Sequence, residues 1–441
     1  PQTVINPVIS ETARNGIRRW GAVARQEGRV LLDLLDGPQG AQEGDRKGGA
    51  GRTGAGGAGY VLGPLIVALE GPQAPRARVF QEEIFGPVLV VVPFEDEAEG
   101  IALANATVYG LTAGVFTRSP ARARRVAEAL RAGNVYVNRE ITGARVGIEP
   151  FGGVWLSGTG PKAGGPEYLS TFVTRRAPAD DAGAAPGGAL GAPESDPEGE
   201  PGGEPGGEPG GDPAPARRAS PLPAPWAADV LTRAERLAGA AVALADPALR
   251  LRALTLVARV PELALDDPGL QVPGQDTFTT WTTPRGGGLL VVDEGASGED
   301  LVALAYGALL AGNGVALAVA PGQRPLGLRL VALVHQAGVP PSALRLVDSG
   351  PAGNEGWLEA ALDLAGAPVA FAAVAPGASA GMQDRLARAL ARPWEGQRWI
   401  KALLTLEDAP GPDEAGFLRR FALPRTIAVR TLRHGADLGE D

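Results

Sequence analysis

Residues 88–138 read VLVVVPFEDEAEGIALANATVYGLTAGVFTRSPARARRVAEALRAGNVYVN. The unbroken apolar run 88–94 predicts a buried strand. Residues 96–106 follow as a helix with acids in its first turn. Residues 111–117 return to a strand. Ser119-Pro120 then supplies an N-cap with proline at the first helical position, opening a helix to Leu130. Arg131 and Gly133 close that helix with a cation and a C-terminal glycine, and 134–138 (NVYVN) is the next strand. Strand and helix alternating at this spacing predict an α/β sheet. Upstream, residues 8–35 read as a helix followed by a strand-like segment, and 61–69 is a short apolar run.

The second half repeats the alternation. Residues 229–244 and 247–260 are helical. Strands at 288–292, 315–319, 344–347 and 369–374 are interleaved with helices at 299–311, 326–336, 356–364 and 382–391. That order predicts a doubly wound, Rossmann-like α/β unit. Residues 401–406 and 426–431 are further strand candidates. Between the halves lies an acidic Pro/Gly-rich stretch containing EPGGEPGGEPGGDP, too poor in apolar side chains to offset its ordering entropy, which predicts a disordered tether. The expected organisation is therefore 1–177, a linker over 178–225, and 226–441.

The 441 residues contain 41 Lys+Arg, 50 Asp+Glu, two histidines and no cysteine. Nine of the acids lie between Pro178 and Pro213, where there is no base, so the rest of the chain balances at 41 acids against 41 bases. The acidity belongs to the tether. With no cysteine, a disulfide scaffold, a thiolate metal site and a cysteine nucleophile carried by this chain are excluded. His335 and His434 alone cannot build a multi-histidine centre; His335 reads as a solvated helix residue. No run approaches the ~18 apolar residues of a membrane span, and no basic or aromatic pattern points to nucleic acid. A soluble, cytoplasmic, globular protein is expected. The glycine-rich run 44–59 lacks the order of a phosphate-binding loop and reads as a surface insertion. Met382 is the only methionine, and the sequence is expected to be a piece of something longer.

Two constellations could carry chemistry. Glu83 and Phe85, in EEIFGP just before the first strand, pair a carboxylate able to accept both hydroxyl protons of a ribose with a ring able to pack on a planar heterocycle. The ordinary alternative is a helix-capping acid and a core phenylalanine. The second is 141–166, ITGARVGIEPFGGVWLSGTGPKAGGP. Its glycines imply positive φ or close backbone approach. Successive N–H groups around Thr142, Gly143 and Ala144 could form a nest for a carboxylate, and Phe151 could cover an aliphatic stem. The alternative is a loop that only needs tight turns.

In order, EEIFGPVLVVVPF, YGLTAGVFT, AGNVYVNRE and PFGGVWLSGTGPKAGGP resemble the C-terminal part of the aldehyde dehydrogenase superfamily. The stretch TGARVGIEPFGG…LSGTGPKAGGPEYL resembles the glutamate-semialdehyde (pyrroline-5-carboxylate) dehydrogenase module of bacterial proline utilisation A. The resemblance covers about the first 175 residues. It implies an NAD-dependent oxidoreductase of proline catabolism that oxidises L-glutamate γ-semialdehyde to glutamate. Glu83 would hold the nicotinamide ribose and Phe85 would flank the nicotinamide. Gly143 and Ala144, with Thr142 beside them, would hold the substrate α-carboxylate, and Phe151 would pack on its methylenes. The sequence departs from that pattern at Val154-Trp155, where an acidic residue and glycine are usual, and at Glu149, where glutamine is common.

The family's chemistry needs a cysteine thiolate, so no catalytic residue is assigned in these residues, nor any metal ligand, and this polypeptide alone is expected to be inactive. FAD would enter only with an upstream proline dehydrogenase domain. The resemblance also implies upstream dehydrogenase and proline dehydrogenase partners and a homo-oligomer. In the second half, PRGGGLLVV, LLAGNGVALAVAPGQRP and LVHQAGVPPSALRLVDSGP resemble the start of an aldehyde dehydrogenase NAD domain. Ala318 and Val319 stand where a lysine is usual, and Phe371-Ala372-Ala373-Val374 where a Gly-Ser turn is usual. This resembles the noncatalytic C-terminal domain of longer proline utilisation A members, associated with covering the dehydrogenase site or aiding assembly. The rival expectation is a catalytically dead aldehyde-dehydrogenase-like scaffold.

Overall fold

In the computed structural model the described residues are 6–36, 60–145, 147–158, 161–165, 168–169, 224–269, 272–347, 356–366, 369–376, 378, 380–391, 402–405, 416–433 and 436–437. The expected tether up to residue 223, the run 44–59 and His434 lie outside them.

The helix Glu11–Glu27 starts where the Ser10 hydroxyl accepts the Ala13 N–H, the usual answer to unsatisfied first-turn donors. It buries Ile17, Gly21 and Ala24 against a three-stranded sheet of Arg29–Asp33, Leu65–Ala68 and Val88–Val91. The expected buried strand is only half-buried: Leu89, Val91 and Phe94 are exposed. Its unbroken apolar run misleads because, among the described residues, this small sheet has a helix packed on one face and apolar residues left open on the other.

A five-stranded sheet runs in the order Leu344–Leu346, Gly314–Val319, Gly287–Val292, Phe371–Val374, Ala402–Thr405, every pair parallel. The first strand in sequence sits at the centre, which is the doubly wound arrangement with its switch point between Gly287–Val292 and Phe371–Val374. The three central strands are buried almost throughout, as parallel strands covered on both faces should be, while the edge strand Leu344–Leu346 is only partly buried. The helix Gly298–Leu310, opened by a reciprocal Ser297–Asp300 capping box, is buried almost throughout. His335 differs from its expected solvated state: it is half-buried, with Nε2 2.8 Å from the Leu344 carbonyl oxygen, because its helix packs on the edge strand.

The third sheet joins sequence from both halves. Its order is Thr112–Val115, Asn134–Val137, Ala422–Arg430, Gln275–Pro284, Asp267–Pro268. Ala422–Arg430 lies parallel to Asn134–Val137, with Thr426 opposite Asn134, and antiparallel to Gln275–Pro284. Ile427 shares a core with Val126, Leu130, Val135 and Val137. Buried Arg425 donates to the Ala127 and Glu128 carbonyls at the end of the helix Pro120–Ala129, where a cation meets the negative end of the helix dipole; burial lowers its pKa to about 10. The strand Gln275–Pro284 is absent from the sequence-based reading. Its TFTTWTT composition is β-branched and aromatic, a strand signal in its own right, but it lacks an apolar run.

Candidate functional site

Glu83 and Phe85 occupy the turn between the short helix Arg78–Gln81 and the strand Val88–Val91. That turn is held from behind. Glu27 accepts the N–H groups of Arg78 and Val79 at 3.1 and 3.0 Å, and Gln81 Nε2 donates to the Pro75 and Ala106 carbonyls, each at 2.9 Å. Gly86 is required, because a Cβ there would stand 2.7 Å from the Ile17 side chain. The Glu83 carboxylate is left to solvent. Phe85 is 83% exposed and sits at φ +52°, a left-handed conformation costly for an aromatic residue. It is therefore neither a core phenylalanine nor a relaxed one. An open ring beside an open carboxylate fits a flat heterocycle joined to a ribose.

The second constellation follows the strand Asn134–Val137. Thr142 and Gly143 are exposed and Ala144 half-buried. Gly143 adopts φ +78°, and a Cβ there would meet nothing within 4 Å, so glycine is needed for conformation and not for space. Among the described residues, no protein acceptor meets the N–H of Gly143 or Ala144. Phe151 and Ala163 bridge reciprocally through N–H···O bonds of 2.9 Å, pinning the loop's far end with Phe151 half-buried.

Underneath, polar groups hold the loop. Glu149 has a fully buried side chain, 0% exposed. Its Oε1 accepts from Arg139 Nη1 at 2.8 Å, Arg145 Nη2 at 3.1 Å and Gln275 Nε2 at 2.6 Å. Burial pushes this carboxyl up, but hydrogen bonds from Gln275 and Arg145 and the charge and hydrogen bond of Arg139 outweigh it, and its pKa is lowered. Arg139 Nη1 also donates to Gln275 Oε1 at 2.6 Å, and its Nη2 to the Thr142 carbonyl at 3.3 Å. Two guanidinium groups thus share one carboxylate beside the exposed nest. Asn134 Nδ2 and Thr426 Oγ1 both donate to the Pro150 carbonyl at 3.0 Å. Lys162, buried, donates to the Gly133 carbonyl and, at 2.9 Å, to Asn134 Oδ1. Desolvation first, and the charge of Arg425 second, hold its pKa well below the usual lysine value. A Cβ on Gly133 would lie 1.9 Å from the Gly152 oxygen, so the stitching also requires glycine there. Trp155 takes φ +59°.

Thr142, Gly143, Ala144 and Phe151 therefore share one loop, whereas Glu83 and Phe85 belong to a different sheet; no hydrogen bond among the described residues joins the two groups. Arg139, Arg145 and Gln275 were not singled out from sequence, and Glu149 only as a departure. The signal available was the pair Arg145 and Glu149, four residues apart and therefore placed to interact across one turn. In the doubly wound unit, Ala318 and Val319 are buried, as are Phe371, Ala372, Ala373 and Val374. Glu294 Oε1 accepts the Gly322 N–H at 3.1 Å, so a side-chain carboxylate already satisfies the turn ahead of the helix Arg324–Gln336. Among the described residues no acidic or histidine cluster could hold a metal, and no helix is long and apolar enough to cross a membrane.

Residues 1–177 match the family model described as the aldehyde dehydrogenase family. The 1-pyrroline-5-carboxylate dehydrogenase of Geobacillus sp. (strain WCH70) is 38% identical over 167 residues, covering 38% of this chain and 28% of that protein. The enzyme of that name from Bacillus subtilis (strain 168) is 38% identical over 169 residues, covering 38% and 29%. The chain thus spans less than a third of the length of these relatives. Among solved structures, the Thermus 1-pyrroline-5-carboxylate dehydrogenase with bound NAD is 36% identical over 38% of this chain and 28% of its own, with a TM-score of 0.31. Proline utilization A from Corynebacterium freiburgense is 19% identical over 86% of this chain and 29% of its own, with a TM-score of 0.47. The match to the aldehyde dehydrogenase family thus covers the first 177 of the 441 residues.

Proposed function

We propose that residues 1–177 are the substrate-anchoring part of an NAD-dependent L-glutamate γ-semialdehyde dehydrogenase. The observation that carries this reading is the left-handed turn at Gly143, with two adjacent N–H groups that meet no protein acceptor among the described residues. Adjacent N–H donors without a protein acceptor, near the Arg139 and Arg145 guanidinium groups, suit a carboxylate. Thr142, Gly143 and Ala144 hold the α-carboxylate, and Phe151 covers the methylenes. Glu83 accepts from the nicotinamide ribose hydroxyls, and exposed Phe85 lies against the nicotinamide ring. NAD, when bound, accepts hydride from the substrate carbon. The sequence holds no cysteine, so a thiolate nucleophile comes from outside these 441 residues, and the chain alone does not turn over.

Residues 226–441 act as a noncatalytic aldehyde-dehydrogenase-like domain reached through the linker 178–225. The apolar Ala318–Val319 strand end and the Glu294 carboxylate, which takes the Gly322 N–H at the following turn, support this, since a phosphate would meet a carboxylate where it needs a donor. FAD belongs to this protein only if a proline dehydrogenase domain accompanies it. The test is NADH formation from glutamate semialdehyde by the polypeptide joined to a cysteine-bearing dehydrogenase segment. Gly143→Val should raise KM for glutamate semialdehyde roughly tenfold, the loss of one charge-assisted hydrogen bond, and leave KM for propanal nearly unchanged. Equal effects on both aldehydes would contradict the carboxylate nest; no NADH from either would favour the scaffold reading.

A further inference from the structure

We infer that Gln275, from the C-terminal half of the chain, is a positioning residue for the loop that presents Thr142, Gly143 and Ala144, and so sets the affinity of that loop for an amino-acid carboxylate. The inference rests on the proposed role of the loop and adds to it a contributor from beyond the family segment, on a strand 126 residues further along the chain from Glu149.

The geometry is a closed triangle. Gln275 uses both ends of its amide: Oε1 accepts from Arg139 at 2.6 Å while Nε2 donates to Glu149 at 2.6 Å. Arg139 and Glu149 close the third side at 2.8 Å. Only a side chain with a donor and an acceptor can bridge a guanidinium and a carboxylate this way. Nε2 also reaches Thr277 Oγ1 at 3.0 Å, so the amide orientation is fixed from its own strand. Gln275 and Glu149 are buried, where a hydrogen bond is strong and an unmade one costly.

From the triangle two arms reach the loop. Arg139 donates to the Thr142 carbonyl at 3.3 Å. Glu149 closes the turn behind Ala144: its Oε2 accepts the Arg145 N–H at 3.4 Å, and its own N–H donates to the Arg145 carbonyl at 3.0 Å. The peptide group before Gly143 and the one after Ala144 are therefore held by groups that Gln275 bonds. Strand pairing of Gln275–Pro284 with Ala422–Arg430 makes Gln275 a fixed point.

The test uses the whole 441-residue chain and L-glutamate as the carboxylate probe. Amide shifts give the affinity, and hydrogen exchange at the Ile148 and Glu149 amides, with Val135 as internal reference, gives loop order. Gln275→Leu should weaken L-glutamate about tenfold and speed exchange at Ile148 and Glu149 while Val135 is unchanged. If Gln275→Leu does not fold, Arg139→Lys serves instead, since one ammonium cannot reach Thr142, Glu149 and Gln275 together.

Wild-type affinity and exchange retained in Gln275→Leu, while Gly143→Val loses affinity, would overturn the inference and leave the carboxylate reading standing. Faster loop exchange with unchanged affinity would overturn it too, as would equal acceleration at Val135, the mark of a merely structural role. Local exchange effects in a chain that binds no L-glutamate would support the positioning of the loop and overturn the carboxylate reading.

Discussion

The parallel sheet of residues 287–405 and the mixed sheet that joins the two halves are built by opposite means. In the first, the three central strands are apolar along their whole length. In the second, the seam between the halves is polar: Arg139, Glu149 and Gln275 form one network, Asn134, Lys162, Pro150 and Thr426 another, and Arg425 caps a helix from across the sheet. An apolar core tolerates exchange of one hydrocarbon for another. A buried polar seam gives little net stability but only one good register. Chemistry that needs positioned donors belongs in the second kind of region.

The largest expected effect is at Glu149. Glu149→Leu removes the carboxylate that Arg139, Arg145 and Gln275 share, and removing one partner of a buried ion pair costs about 3–5 kcal/mol; urea unfolding measures it. A cost below about 1 kcal/mol would mean the seam is solvated and not a true interior network.

Lys162 sharpens the contrast through pH. Its folded-state pKa is held well below the lysine value of 10.5, so between the two values the unfolded chain binds the extra proton. Stability therefore rises with pH through that window, by at most about 1.4 kcal/mol per pH unit. The urea midpoint should climb as pH rises towards the unfolded value of 10.5 in the wild type, and less steeply in Lys162→Met. An identical slope in both would remove Lys162 from the account.

The same contrast decided what could be read from sequence. The doubly wound order followed from apolar runs separated by capped helices, and Glu83, Phe85 and the glycine loop from local motif order. The strand Gln275–Pro284 did not, because threonines carry β-propensity without an apolar pattern. Its pairing with Ala422–Arg430, and that strand's with Asn134–Val137, joins residues nearly 300 positions apart, which local periodicity cannot register. Val88–Val91 misled in the other direction: its apolar run is real, but the sheet it belongs to leaves one face open. Glu149 read as a mere substitution because its meaning lies in Arg139 and Gln275, and the strain at Phe85 and Trp155 is a property of the backbone alone.

The most direct measurement is a titration of the whole chain with L-glutamate, following the backbone amides of Thr142, Gly143 and Ala144. The account predicts saturable shifts centred on Gly143 and Ala144, weakened about tenfold by Gly143→Val. Shifts that arise elsewhere, or that survive Gly143→Val unchanged, would contradict it.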